Sequence, residues 1–136
     1  MLELRQWLWP NGREQVVGMR CLSSDSSRLG EESGILTGRW TQYADLGELP
    51  FGAMWCVVPP GSHSEEDCHP ERELQVVVNG SAVVDSAGTK LDAPLGAAIL
   101  LDSYERHVVH NRSADQPLVL LSIYWMPEGA AEPHDG

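Results

Sequence analysis

Between Gly61 and Gly80 the sequence concentrates acids and histidines: Gly-Ser-His-Ser-Glu-Glu-Asp-Cys-His-Pro-Glu-Arg-Glu-Leu-Gln-Val-Val-Val-Asn-Gly. Asp67 and His69 are two positions apart, so on a strand they point to one face, and Glu73 follows after a turn at Pro70. Three metal-competent side chains can therefore converge. A second stretch, Gly88 to Asn111, carries His107 and His110 on a short β-type run. Imidazole with carboxylate is a hard-to-borderline donor set. It suits Fe(II), Mn(II), Zn(II), Ni(II) or Cu(II) better than thiolate-loving ions. His110, three positions past His107, falls on the opposite strand face, and His63, just after Pro59-Pro60-Gly61, reads as a surface residue.

The elements that must position these groups are short strands. From Gly52 onward β-branched runs alternate with turn signals: Met54 to Val58, Leu74 to Val78, Ala82 to Val84, Ala97 to Leu101, Arg106 to His110 and Leu118 to Met126. Such spacing indicates an all-β sandwich or barrel, and no segment shows capped helical periodicity. Asn79-Gly80 suits a hairpin turn. The polar run from Ser23 to Gly34 reads as a solvated loop between an N-terminal strand or arm and the main domain. Residues 127–136 are polar and rich in breakers, which predicts a flexible tail that includes His134.

Both stretches resemble the two motifs of the cupin superfamily. Gly61, Asp67-Cys68-His69, Glu73 and Gly80 follow the spacing of the first, with Asp67 standing where relatives usually carry histidine. Gly88, Pro94-Leu95-Gly96, His107 and Asn111 follow the second, with a longer gap before the histidine. The resemblance implies a double-stranded β-helix, or jelly-roll, barrel over residues 45–126, preceded by an arm and loop over 1–44. It also implies one divalent metal ion, Zn or Fe before Mn, Ni or Cu, held by Asp67, His69, Glu73 and His107. Without Asp67 the remaining three still form a two-histidine, one-carboxylate set with open positions.

Gln75 shares a face with Glu73 and points into such a barrel, either as a structural hydrogen-bonding amide or as a group that orients a polar substrate. Tyr104 and Arg106 flank His107 at the expected barrel mouth, where Arg106 can meet a substrate carboxylate. Tyr124, on a run expected to form the barrel wall with Met54, Trp55 and Trp125, joins Gln75, Tyr104 and Arg106 as a substrate-binding candidate. No residue is assigned as a catalytic acid, base or nucleophile.

These features favour a metal-dependent enzyme acting on a small polar metabolite, amino-acid-like by preference. The alternatives are a non-catalytic metal- or ligand-binding module, a metal-free dimerisation unit, and an Fe-dependent dioxygenase or sugar isomerase-type cupin. The runs Leu49 to Gly61, Glu73 to Gly80 and Leu120 to Trp125 are similar to those of bacterial cupins, stand-alone or fused to a methionyl-tRNA-synthetase-like domain, that form nitrogen–nitrogen bonds in hydrazine-type natural products. That resemblance implies Zn(II) and an amino-acid-activating partner enzyme.

The bulk properties agree with a small-molecule partner. At 136 residues the chain is one domain by size, and a formal charge of −11 disfavours nucleic acid and anionic membranes. No apolar run is long enough to span a membrane and the N-terminus lacks a secretory pattern. Cys21, Cys56 and Cys68 have unrelated spacings, which fits reduced thiols in a cytoplasm. Trp7, Leu8 and Trp9 in a short arm predict a homodimer in which the arm packs on the partner barrel.

Overall fold

The structure, a computed structural model, describes residues 5–8, 14–25 and 28–128. Strands β1 (Arg5–Leu8) and β2 (Glu14–Val17) pair with each other in a two-stranded sheet. The side chain of Trp7, Trp9 and residues 129–136 lie outside the described residues, and so do the expectations placed on them. Among the described residues no helix is long and apolar enough to cross a membrane.

The remaining strands are β3 (Gly30–Glu32), β4 (Ile35–Arg39), β5 (Gly52–Val58), β6 (Arg72–Asn79), β7 (Ala82–Ser86), β8 (Thr89–Ala93), β9 (Ala98–Leu101), β10 (Val108–His110) and β11 (Leu118–Trp125). They form a six-stranded sheet, β3-β4-β5-β11-β6-β9, and a three-stranded sheet, β10-β7-β8. This is the all-β jelly-roll arrangement expected from the strand pattern. The apolar core joins the inner faces of both sheets, with Val58, Val77, Leu118 and Leu120 from one and Ala82, Val84, Ala93 and Val109 from the other.

Two local readings are corrected. Ser33-Gly34 is not part of an open loop but the two-residue turn of the β3–β4 hairpin, with φ of 54° and 79°. Both values fit the mirror-image turns whose twist matches a hairpin. The six-stranded sheet consequently begins at residue 30, upstream of the expected start at 45. Asn79-Gly80 is not a hairpin turn: β6 pairs with β11 and β9, whereas β7 pairs with β8 and β10, so Gly80 carries the chain from one sheet to the other. Gly80 has a φ of 75°, and a Cβ there would press on the Pro117 carbonyl at 2.8 Å, so glycine fits where a side chain does not.

The inner face of the large sheet changes character along its strands. Register aligns Cys56, Leu120 and Val77 in one row, then Arg39, Met54, Ser122 and Gln75, then Gly52, Tyr124 and Glu73. Apolar packing gives way to polar groups two residues at a time, and the polar end frames the site.

Candidate metal centre

The connection from β5 to β6 runs antiparallel along β10 as isolated bridges. His63 pairs with His110 and Asp67 with His107. Asp67 and His107 exchange both backbone hydrogen bonds, at 3.0 and 3.1 Å, which sets their side chains next to each other. Ser64 locks the same connection by donating its N–H to the Val109 carbonyl and accepting the Val109 N–H on its hydroxyl, each at 2.9 Å. Asn111, the last residue of the second motif, is structural: its buried amide donates to the carbonyls of Val58 and Gln116 and accepts from Ser113.

Potential ligand atoms of Asp67, His69 and His107 lie within 4.8 Å of one another. Glu73 presents Oε1 at 3.1 Å from His69 Nε2 and 3.5 Å from His107 Nε2. Ligand bonds of about 2.1 Å place neighbouring donors on the order of 3.0–3.4 Å apart, so this constellation needs little closure to surround one divalent ion. Both rings are oriented for that task, because His69 Nδ1–H donates to the Glu71 carbonyl at 3.0 Å and His107 Nδ1–H to the Glu105 carbonyl at 2.7 Å. These backbone acceptors leave both Nε2 atoms facing inward. His63 and His110 face each other elsewhere, ring centroids 5.3 Å apart.

Glu73 is 3% exposed, yet its carboxyl is held well below the usual carboxylate range. Burial opposes the charge, and hydrogen bonds from His107, His69, Ser122 and Gln75 together outweigh it. Its Oε2 accepts from Ser122 Oγ at 2.5 Å and Gln75 Nε2 at 3.1 Å. The hydrogen bond to Glu73 pushes His69 up to about 9. Burial works against the charge on His107, but its hydrogen bond to Glu73 prevails and its value is raised too.

The family model for the cupin domain matches residues 54–124. The chain belongs to the cupin family. It is similar to a cupin 2 conserved barrel domain protein of Salinispora arenicola, with 27% identity over 79% of this cupin and 88% of that chain and a TM-score of 0.71. The plu4264 protein of Photorhabdus luminescens aligns at 25% identity over 81% and 88% of the two chains, with a TM-score of 0.69. The cupin domain of Schizosaccharomyces pombe Cnp3 is only 12% identical, covers 93% of this chain and 88% of its own, and shares the fold at a TM-score of 0.72.

Of the substrate-binding candidates, Gln75 and Tyr124 line the cavity of about 250 Å³ that contains Asp67, His69, Glu73 and His107. Tyr104 and Arg106 do not line it, which corrects their expected place. Arg106 is exposed and paired with Glu66 at 3.0 Å, and Tyr104 is 45% exposed in a left-handed turn (φ 60°) whose N–H caps the His69 carbonyl. The arginine in the cavity wall is Arg39 of β4, gripped by Glu32 through two hydrogen bonds of 2.6 and 3.0 Å. Sequence reasoning missed Arg39 and Ser122. Ser33-Gly34 flanked by short β runs could have revealed the hairpin that carries the first, and a lone serine in the Leu118, Leu120, Ser122, Tyr124 alternation the second.

Proposed function

We propose that this cupin binds one divalent metal ion, Zn(II) or Fe(II), through Asp67, His69 and His107 together with Glu73, and acts on a small amino-acid-like substrate. One observation carries the substrate class: Gln75 is 4% exposed and its Oε1 has no hydrogen-bond partner. The amide cannot turn around, because its NH2 group must face the Glu73 carboxylate. A buried acceptor left open in the wall of a ligand-sized cavity calls for a donor from the ligand, and an amine supplies one. Arg39 stands in the same sheet row as Gln75, two strands intervening, and its planar guanidinium suits a carboxylate at the other end.

A bound ion supplies Lewis acidity toward a coordinated oxygen or nitrogen. The chain's own groups do the rest. The two imidazoles hold the protons that an ion would displace, with the Glu73 carboxylate as their acceptor, Gln75 orients the amine, and Arg39 and Tyr124 extend the same sheet wall. Nitrogen–nitrogen bond formation with an amino-acid-activating partner is the reaction we favour for such a substrate, on the strength of the sequence resemblance. The test is metal analysis of protein purified without added metal, followed by thermal-shift titration with amino acids, keto acids and neutral sugars. Stabilisation by amino acids that is lost in Gln75→Leu supports the reading; stabilisation by sugars alone rejects it.

A further inference from the structure

His63 and His110 do not line the cavity but stand on the outer face of the three-stranded sheet. Val109 is packed in the core, so the half-buried His110 beside it points outward, and the bridge with His63 puts both side chains on one face. Backbone bonds flank this pair instead of joining it: Ser64 N–H donates to the Val109 carbonyl and Asn111 N–H to the Ser62 carbonyl, each at 2.9 Å. In an antiparallel ladder that is the position where facing side chains approach most closely. The ring centroids are 5.3 Å apart, against 5.4 Å for His69 and His107 in the metal centre. An ion about 2.1 Å from each ligating nitrogen lies roughly 3.2 Å from each ring centre, and a tetrahedral angle then sets the centres about 5.2 Å apart.

The orienting device of the metal centre is repeated here. His63 Nδ1–H donates to the Ser64 carbonyl at 2.8 Å, as His69 and His107 donate to Glu71 and Glu105, which leaves the Nε2 lone pair of the neutral ring open to a metal. Burial, with His63, Arg112 and Lys90 nearby, holds His110 below the ordinary histidine range, whereas Asp85 acts the other way and favours a cation there.

We infer that His63 and His110 form a second metal site, taking one borderline divalent ion, Cu(II), Ni(II) or Zn(II), with water in the remaining positions. Imidazole suits those ions and not Mg(II) or Ca(II), which take oxygen ligands. Among the described residues only Asp67, His69 and His107 bring three donors within 4.8 Å of one another, so the outer pair has two protein ligands and is the weaker site. Metal retained through purification without added metal therefore reports the cavity, and the outer ion enters on titration. Its place gives it a role. It ties the connection between β5 and β6 to β10, four residues from Asp67 and three from His107, and so clamps the pairing that sets those two ligands side by side.

In the test, the full chain is given one equivalent of Zn(II) and then titrated with more, and binding is read by calorimetry and by the imidazole nitrogen resonances. We expect a second step of one ion per chain, at least tenfold weaker than the first, that moves the His63 and His110 resonances together. His63→Gln and His110→Gln should each weaken that step at least tenfold and spare the first, and His107→Ala should do the reverse. Mg(II) should move neither ring. Should a variant fail to fold, the ring resonances of the unmodified chain decide. Absence of the second step, a step that survives both glutamine variants, or an equal response to Mg(II) overturns the site. A single weak step that both glutamine variants remove leaves this site standing and takes away the ion proposed for the cavity.

Discussion

Ser122 Oγ donates to Glu73 Oε2 at 2.5 Å, from β11 to β6, with both residues buried. A hydroxyl at this distance from a charged carboxylate stabilises the charge and pins the oxygen it touches, so that Oε1 alone faces the imidazoles. Removing it leaves a buried anion short of a donor. Ser122→Ala should lower stability by about 1.5–3 kcal/mol and metal affinity about tenfold or more. Thermal unfolding and competitive metal titration check both numbers; an unchanged affinity would show that the carboxylate is oriented without the hydroxyl.

Replacing His69 or His107 by Ala should abolish metal binding, whereas His63→Ala should leave it intact, because His63 stacks on His110 away from the cluster. Asp67, the most exposed of the group, should matter less: Asp67→Ala should weaken binding about 10–100-fold without eliminating it, and Asp67→His should restore it. The metal content of the purified variants decides. Equal loss in all four alanine variants would reject the assignment.

The metal-free and metal-loaded proteins should respond to pH in opposite directions. His69 is raised to about 9 by its partner Glu73, so the native state binds a proton more tightly than the unfolded chain does. That contribution is complete below about pH 6.5, the ordinary histidine value, and is lost as pH rises through 9. The melting temperature of chelator-treated protein should therefore fall across this window. Metal affinity should rise across it, because Nε2 must give up its proton to coordinate. Melting curves with and without chelator from pH 6 to 9.5 show the crossing or its absence.

In the cavity wall the decisive cation should be Arg39 and not Arg106. Arg39→Ala should raise KM for a carboxylate-bearing substrate about tenfold or more, while Arg106→Ala, which breaks only an exposed ion pair with Glu66, should leave it unaffected. A KM change confined to Arg106→Ala would move the carboxylate site to the rim.

The barrel and the clustering of Asp67, His69, Glu73 and His107 were legible in the sequence because both depend on local spacing. Turn residues bound strands of fixed period, and the two motifs carry their histidines and acids at constant intervals. The row Arg39, Met54, Ser122, Gln75 was not, because it joins strands up to 83 positions apart and follows from register that no local pattern encodes. The β3–β4 hairpin was hidden by composition: Glu31, Glu32 and Ser33 read as solvated loop, although Glu32 is the partner that fixes Arg39. Arg106 misled for the complementary reason. Its nearness in sequence to His107 said nothing of Glu66, 40 residues away, which holds it outside.

The paired backbone hydrogen bonds between Asp67 and His107 have a consequence for how this cupin would acquire the ion proposed for it. They hold the backbone on both sides of the cluster by protein hydrogen bonds, over a core packed from protein side chains. On the proposed function, the ion that occupies such a site is chosen by whichever divalent metal the surroundings buffer at the highest available concentration, weighted by the intrinsic affinity ranking of such donor sets. Protein produced in media of different trace-metal supply should carry different ions in one unchanged barrel, and the metal found after purification reports provenance until it has been exchanged under controlled conditions.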